Sequence, residues 1–450
     1  MNENIDQYLE TNLKESIGEL SRLVAQPSVG AQNLGMEACA NLVAEMLQQR
    51  GFSAKIYPTG GAPIVFGERE GKNNKTILFY NHYDVQPAEP LDLWESPPFE
   101  PSLRDGKLYG RGVSDDKGHI TARLHAIDAI LENLGELPCN IKFVIEGEEE
   151  TSSAHLHDFV ADHQDLLKAD ACVWEFGGVD HRDVPVQYLG LRGICYVELT
   201  AETANTDVHS GLGGSIFPNA AWRLIWALST LKGPDENIRI EKFYDPVIEP
   251  TERDRELMAA LPDSADEYKE RYGVDYFLRN ITGGTELHIA EVFQPTCTVC
   301  GLTSGYQGPG SKTVLPARAS AKVDFRLVPD QSPERVLEQL RQHLDKHGFE
   351  DIHITYLGGE APARTDPDDP FIQLVVNAAR DVYASEMQLI PMSGGSGPNA
   401  PFIKILNLPV ATAGMGYPGT RGHAPNENIR LDLYLKHAKH MARVIMDFSR

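Results

Sequence analysis

KTILFYNHYDV (75–85) and NIKFVIEGEEE (140–150) share one pattern: a nearly continuous apolar run that ends abruptly in histidine, aspartate or glutamate. An apolar run of four or five residues without alternation reads as a strand covered on both faces, the habit of parallel sheets. Between the two segments, Ile120, Leu124, Ile127, Leu131 and Leu134 recur every three or four residues and define one apolar face of a helix. The result is a strand, helix, strand unit, which predicts an α/β fold with a mixed, mostly parallel sheet in a three-layer catalytic domain. A third buried strand is predicted over 171–174, and a helix over 36–50 that stops at Gly51.

Further along, the texture changes at Gly193. Residues 195–200 alternate like a half-buried strand, 219–232 form an amphipathic helix, and 234–296 are polar and irregular, with many Pro, Asp and Glu. A second strand is clear at 321–327, where Val323, Phe325 and Leu327 face one way and Lys322, Asp324 and Arg326 the other. The helix that follows has Ser332 as its cap, Pro333 in its first turn, Val336, Leu337, Leu340 and Leu344 as its stripe, and Gly348 at its end. These elements predict a smaller α+β domain inserted into the larger one, with 358–370 as the return linker. Helices over 371–384 and 432–448 then flank an apolar strand around 408–413. The expected organisation is a catalytic domain in two parts, 1–190 and 359–450, around an insertion at 191–358.

With 450 residues the chain exceeds one ordinary core. It lacks the run of roughly 20 apolar residues that a membrane helix needs, and MNENIDQYLE has no basic region leading into an apolar stretch. A formal charge of -24 opposes binding to phosphate backbones and anionic membranes. Neither nucleic acid nor membrane is therefore expected as a partner. Six cysteines scattered through so long a chain suit a reducing, cytoplasmic setting. Cys297 and Cys300 form the single CxxC and, with no second pair, read as ordinary thiols.

The chemistry concentrates where predicted strands end: NHYDV with His82 and Asp84, GRGVSDDKG with Asp115 and Asp116, EGEEE with Glu148, Glu149 and Glu150, and GHAPNENI with His423. Asp84 has the spacing to fix the tautomer of His82 as an acceptor behind it. Alone, His82 reads more readily as a satisfied structural histidine than as a ligand, while a solvated acidic surface is the lesser reading of the glutamates. Three consecutive glutamates at a strand end, however, repel one another unless a cation compensates them. Carboxylates with imidazoles and no paired thiols suit zinc, manganese or cobalt. GYQGPGSKT (305–313) nearly mimics a phosphate loop but misses its spacing, since Ser311 separates Gly310 from Lys312. His155, His157 and His163 lie in a polar helical stretch and are expected to face solvent, and neither GxSxG nor HExxH occurs.

Taken together, these segments resemble, in order and over nearly the whole chain, the dizinc metallopeptidases that include carnosinases, bacterial dipeptidases, glutamate carboxypeptidase, acetylornithine deacetylase and succinyl-diaminopimelate desuccinylase. The resemblance implies two divalent ions, zinc with manganese or cobalt as alternatives, held by His82, Asp115, Glu150, Glu175 and His423, with Asp115 between them. It makes Glu149 the general base and Asp84 its neighbour in the site. Glu175 departs from the dipeptidase pattern, where aspartate usually follows this strand, and is similar to the carboxypeptidase and deacylase branches. In the insertion, His209 of DVHSG looks like the histidine that steadies the oxyanion, commonly from a partner subunit, so a homodimer is implied. Gly310 and Lys312 in GYQGPGSKTVLP, Arg326 in DFRLVP, and Ser396 are similar to residues that hold the substrate's carboxyl end.

The activity so implied is hydrolysis of a small amide, by a dipeptidase or carboxypeptidase acting on short peptides with a free carboxylate. An N-acyl amino acid deacylase shares every metal ligand and is the alternative. A noncatalytic metal-dependent binding protein would need a broken base, whereas Glu149 is present.

Overall fold

Every residue of the strand Thr76–His82 is buried, because strands flank it on both sides in parallel: Asn140–Glu146 and Ala171–Trp174. In this computed structural model, which describes residues 2–450, those three strands are the centre of a six-stranded sheet. Its order is Ser53–Tyr57, Ile64–Arg69, Asn140–Glu146, Thr76–His82, Ala171–Trp174, Val410–Thr412. The first two pairings are antiparallel and the remaining three parallel, so the sheet is mixed and mostly parallel, as the apolar runs implied.

The helix Lys117–Leu134 differs from its expected single apolar face. Its first three turns are buried all round, with Lys117, His119, Thr121, Arg123 and His125 enclosed alongside Ile120, Leu124 and Ile127. Burial of such groups is costly unless each finds a partner, and here several do. Lys117 Nζ donates to the carbonyls of Leu23 (3.1 Å) and Gln26 (2.7 Å), and Arg123 donates to Tyr80 O (2.8 Å) and Asn81 Oδ1 (2.7 Å). Helices Asn2–Thr11, Leu13–Ala25 and Leu431–Phe448 pack against it and close off the solvent. Gly135 ends it at φ +78°, a left-handed turn whose N–H caps Leu131 O.

By contact density the chain forms two units. The first runs to Gly190 and resumes over Arg364–Pro391 and Pro398–Arg450; the second is Leu191–Ala363 with Met392–Gly397. Sequence reading keeps 359–450 in one piece, whereas residues 359–363 and 392–397 belong to the second unit.

The second unit carries a four-stranded antiparallel sheet in the order Thr298–Ser304, Arg318–Leu327, Gly193–Glu202, His353–Glu360. Val197, Leu199, Val323, Phe325 and Leu327 form its core with Leu224, Leu231, Leu340 and Leu344 from the helices Ala220–Leu231 and Pro333–Lys346. Ser332 Oγ accepts from the Arg335 N–H at 3.2 Å, the expected cap. Two features went unread in the sequence. Residues 234–296 hold three α-helices, Glu252–Ala259, Ala265–Tyr272 and Gly284–Phe293, the first started by a reciprocal cap between Thr251 and Asp254. Thr298–Ser304 is an edge strand whose side chains are mostly exposed, so no apolar alternation marks it.

Candidate metal centre

Parallel neighbours end on the same edge of a sheet, and the register sets His82 beside Glu146 while Glu175 lies one residue past Ala171–Trp174. His82 is 1% exposed. Its Nε2 is 3.0 Å from Asp115 Oδ1, and Nε2 of His423 is 3.0 Å from Asp115 Oδ2. The same His423 nitrogen lies 3.1 Å from Glu150 Oε2. Four of the five candidate ligands thus form a continuous series through Asp115, and donor atoms of Asp115, Glu150 and His423 all fall within 4.8 Å of one another.

Glu175 completes the charge cluster. Burial, together with the Glu149, Asp116 and Asp115 carboxylates, pushes its carboxyl well above the usual range against the pull of His82. Its Oε2 is buried without a hydrogen-bond partner, which is expensive for a carboxylate and is the condition that a cation relieves. Two imidazoles and three carboxylates with one orphaned oxygen fit a divalent ion of the zinc, manganese or cobalt kind.

The electrostatics of the cluster follow from burial opposed by pairing. Burial alone would raise Asp115, yet hydrogen bonds from His423 and His82 hold it below the carboxylate range. Its own bonds to Asp115 and to Glu150 lift His423 to about 10. Burial pushes Glu149 up to about 8, with His82 opposing and Asp115, Glu150 and Asp84 assisting. A carboxyl so placed accepts a proton near neutral pH far more readily than an exposed glutamate.

Asp84 does more than the part expected of it. The short contact to His82 Nδ1 is the Asp84 carbonyl oxygen at 3.1 Å, with the carboxylate at 3.4 Å. The carboxylate also accepts from the backbone N–H groups of Glu149 (3.2 Å) and Glu150 (3.0 Å) and so holds the 3-10 turn Glu149–Thr151.

Two supporting residues add to the site: Asp116, named in the sequence without a role, and Gln86, which no motif singles out. Asp116 Oδ2 accepts from Asn81 Nδ2 at 2.6 Å and from the His82 N–H at 3.2 Å, which locks the strand end that carries His82. Gln86 Nε2 donates to Glu150 Oε2 at 2.8 Å. The doubled aspartate of SDDK is the signal for Asp116; Gln86 carries none. His155 and His163 are not simply solvent-facing: His155 Nδ1 pairs with Glu148 Oε2 at 2.7 Å, and His163 stacks on Phe159.

The other candidates lie in the second unit. His209 is exposed, and its Nδ1 accepts from the Gly211 N–H at 3.0 Å, which leaves Nε2 as the protonated donor of a neutral ring. Arg326 Nη1 donates to Ser396 Oγ at 2.8 Å, and its Nε is 3.5 Å from Asp324. Gly310, at φ +84°, and Lys312 sit on an exposed loop.

Known proteins resemble this chain throughout. A family model described as peptidase family M20/M25/M40 matches residues 78–447. The Beta-Ala-His dipeptidase of Homo sapiens is 28% identical over 449 residues, covering 96% of this chain and 85% of that protein. A Cys-Gly metallodipeptidase from Schizosaccharomyces pombe is 29% identical over 387 residues, 84% of this chain and 81% of its own. Among solved structures, an M20 family metallo-carboxypeptidase from Sulfolobus solfataricus superposes with a TM-score of 0.92 at 37% identity, covering 97% of this chain and 99% of that one.

Proposed function

The chain belongs to peptidase family M20/M25/M40, and on that footing we propose that it cleaves dipeptides or similarly short peptides with a free carboxylate, holding two divalent cations, zinc foremost, with His82, Asp115, Glu150, Glu175 and His423. It is a metal-dependent peptidase of the dipeptidase kind. The observation that carries the ligand assignment is the Asp115 carboxylate, each oxygen of which lies 3.0 Å from a different imidazole. A carboxylate shared between two ions needs that two-sided exposure.

Cations held by these residues would supply Lewis acidity toward a peptide carbonyl and toward a water near neutral pH. Glu149 takes the proton from the attacking water and hands it to the leaving amine, so the proton ends on nitrogen as the C–N bond breaks. Its backbone N–H, fixed on Asp84, keeps the base in place through the cycle. His209 donates from Nε2 to the oxygen on which charge develops. Arg326, steadied by Ser396, pairs with the substrate carboxylate, and Gly310 and Lys312 serve the same end of the substrate.

Two further assignments belong to this reading. The active form is a homodimer, a state supported by the exposed face of Ala220–Leu231, where Trp222 and Trp226 are each 54% exposed and stack at 5.8 Å. The enzyme works in the cytoplasm, in keeping with six unpaired cysteines.

A substrate panel on chelated enzyme reloaded with zinc, manganese or cobalt in turn tests the proposal. Ala-Xaa dipeptides should be hydrolysed once metal returns, and faster than N-acetyl amino acids. Preference for the N-acetyl compounds would make it a deacylase instead.

A further inference from the structure

We infer that Glu427, acting with Arg111, is a positioning residue that builds the turn carrying Asp115 before any cation arrives; the inference rests on Asp115 being a ligand. Both side chains are 1% exposed. Strand Asn428–Arg430 pairs with Lys107–Tyr109, and the ladder continues one step further, where the Gly110 N–H donates to the Glu427 carbonyl at 3.0 Å. Beyond that point the Glu427 side chain takes over. Oε1 accepts from the N–H groups of Ser114 (2.9 Å) and Asp115 (3.1 Å), and Oε2 accepts from the Gly112 N–H (2.9 Å) and Arg111 Nη1 (2.8 Å). Gly112 permits the turn: it sits at φ +82°, and a Cβ there would meet Val85 Cγ1 at 2.4 Å.

A carboxylate offers about four lone-pair sites, and all four are filled here by donors from four residues within 111–115. Glu427 lies four positions after His423. One side chain therefore ties the loop bearing one ligand to the loop bearing another, and sets the separation that lets His423 reach Asp115. Such supporting groups typically govern metal affinity by 10–100-fold.

The geometry singles out glutamine as the informative replacement. Glu427→Gln keeps size and shape, but one oxygen becomes an NH2 that must face two donors, whichever way the amide is turned. In chelated protein, hydrogen exchange over residues 110–116 should be slow in the native chain and clearly faster in Glu427→Gln. Affinity for zinc, measured by chelator competition well below the melting temperature, should fall about 10–100-fold. Activity lost by the variant should return at raised zinc, which a general folding defect would not allow. Arg111→Met keeps the three amide bonds and should weaken zinc binding less than Glu427→Gln; it also serves if the glutamine variant does not fold. Equal exchange in native and variant chains, native-like zinc affinity in Glu427→Gln, or an equal loss in both variants would each overturn the inference. If the native chain itself binds no pair of zinc ions, the metal-centre reading fails, while the exchange comparison still judges the clamp.

Discussion

At the scale of single residues, the centre is a contest between burial and charge. Glu149, raised to about 8 by burial and three carboxylate neighbours, is suited to carry a proton between water and amine. Changing Glu149→Gln should leave both metals in place and lower turnover by about 10²–10⁴; metal analysis with steady-state kinetics checks this, and wild-type turnover would remove Glu149 from the mechanism. The histidines and acids of the centre are legible because each follows an apolar strand or repeats in a short motif. Glu427 is not: it is one acid in a polar loop, its partners are mostly backbone N–H groups that every sequence contains, and only the fold aims them at it. Asp84 shows the same limit in part, since its spacing from His82 suggests a ring partner but gives no sign that its carboxylate also binds two amides.

At the scale of elements, periodicity revealed what packing on one side creates and missed what packing on several sides or none creates. The strand Thr76–His82 and the helix Pro333–Lys346 stand out in the sequence, whereas the exposed strand Thr298–Ser304 has no pattern to read. Helix Leu431–Phe448 offers a prediction at this level. It buries His437 and His440 completely, and burial depresses both, His440 to about 4 from an ordinary 6.5. The neutral His440 donates from Nε2 to Val375 O at 2.9 Å. Between those two values the unfolded chain binds the proton and the folded one does not, so stability is full above about pH 6.5 and declines as pH falls toward 4. The full shift corresponds to about 3 kcal/mol. Melting of the chelated protein should therefore drop from pH 7 to pH 5, and His440→Gln, which keeps a donor without the titration, should flatten that slope; an unchanged slope would rule out this histidine as a cause.

For the whole molecule, the composition and the run of motifs reveal the family, while the proposed dimer draws on an exposed apolar surface that no motif describes. Trp222, Ile225 and Trp226 occupy the outward side of one helix, and Leu212, Ile216 and Phe217 are exposed just before it. Replacing Trp222 and Trp226 with glutamate should turn a dimer into a monomer of native fold, read by sedimentation and circular dichroism. If His209 serves the partner's centre, mixing His209→Ala with His82→Ala chains should restore turnover through one wholly native site per mixed dimer. Verified mixed dimers without activity would confine His209 to its own subunit.

The division of the first unit around the second has a bearing on how the protein is made. His82, Asp115, Glu150 and Glu175 all precede Gly190, but His423 and Glu427 follow a stretch of more than two hundred residues, and the edge strand Val410–Thr412 comes late as well. A ribosome therefore translates the entire insertion before the chemistry can be assembled. Nascent chains interrupted before His423 would lack one of the proposed ligands, so on this reading they would be inert.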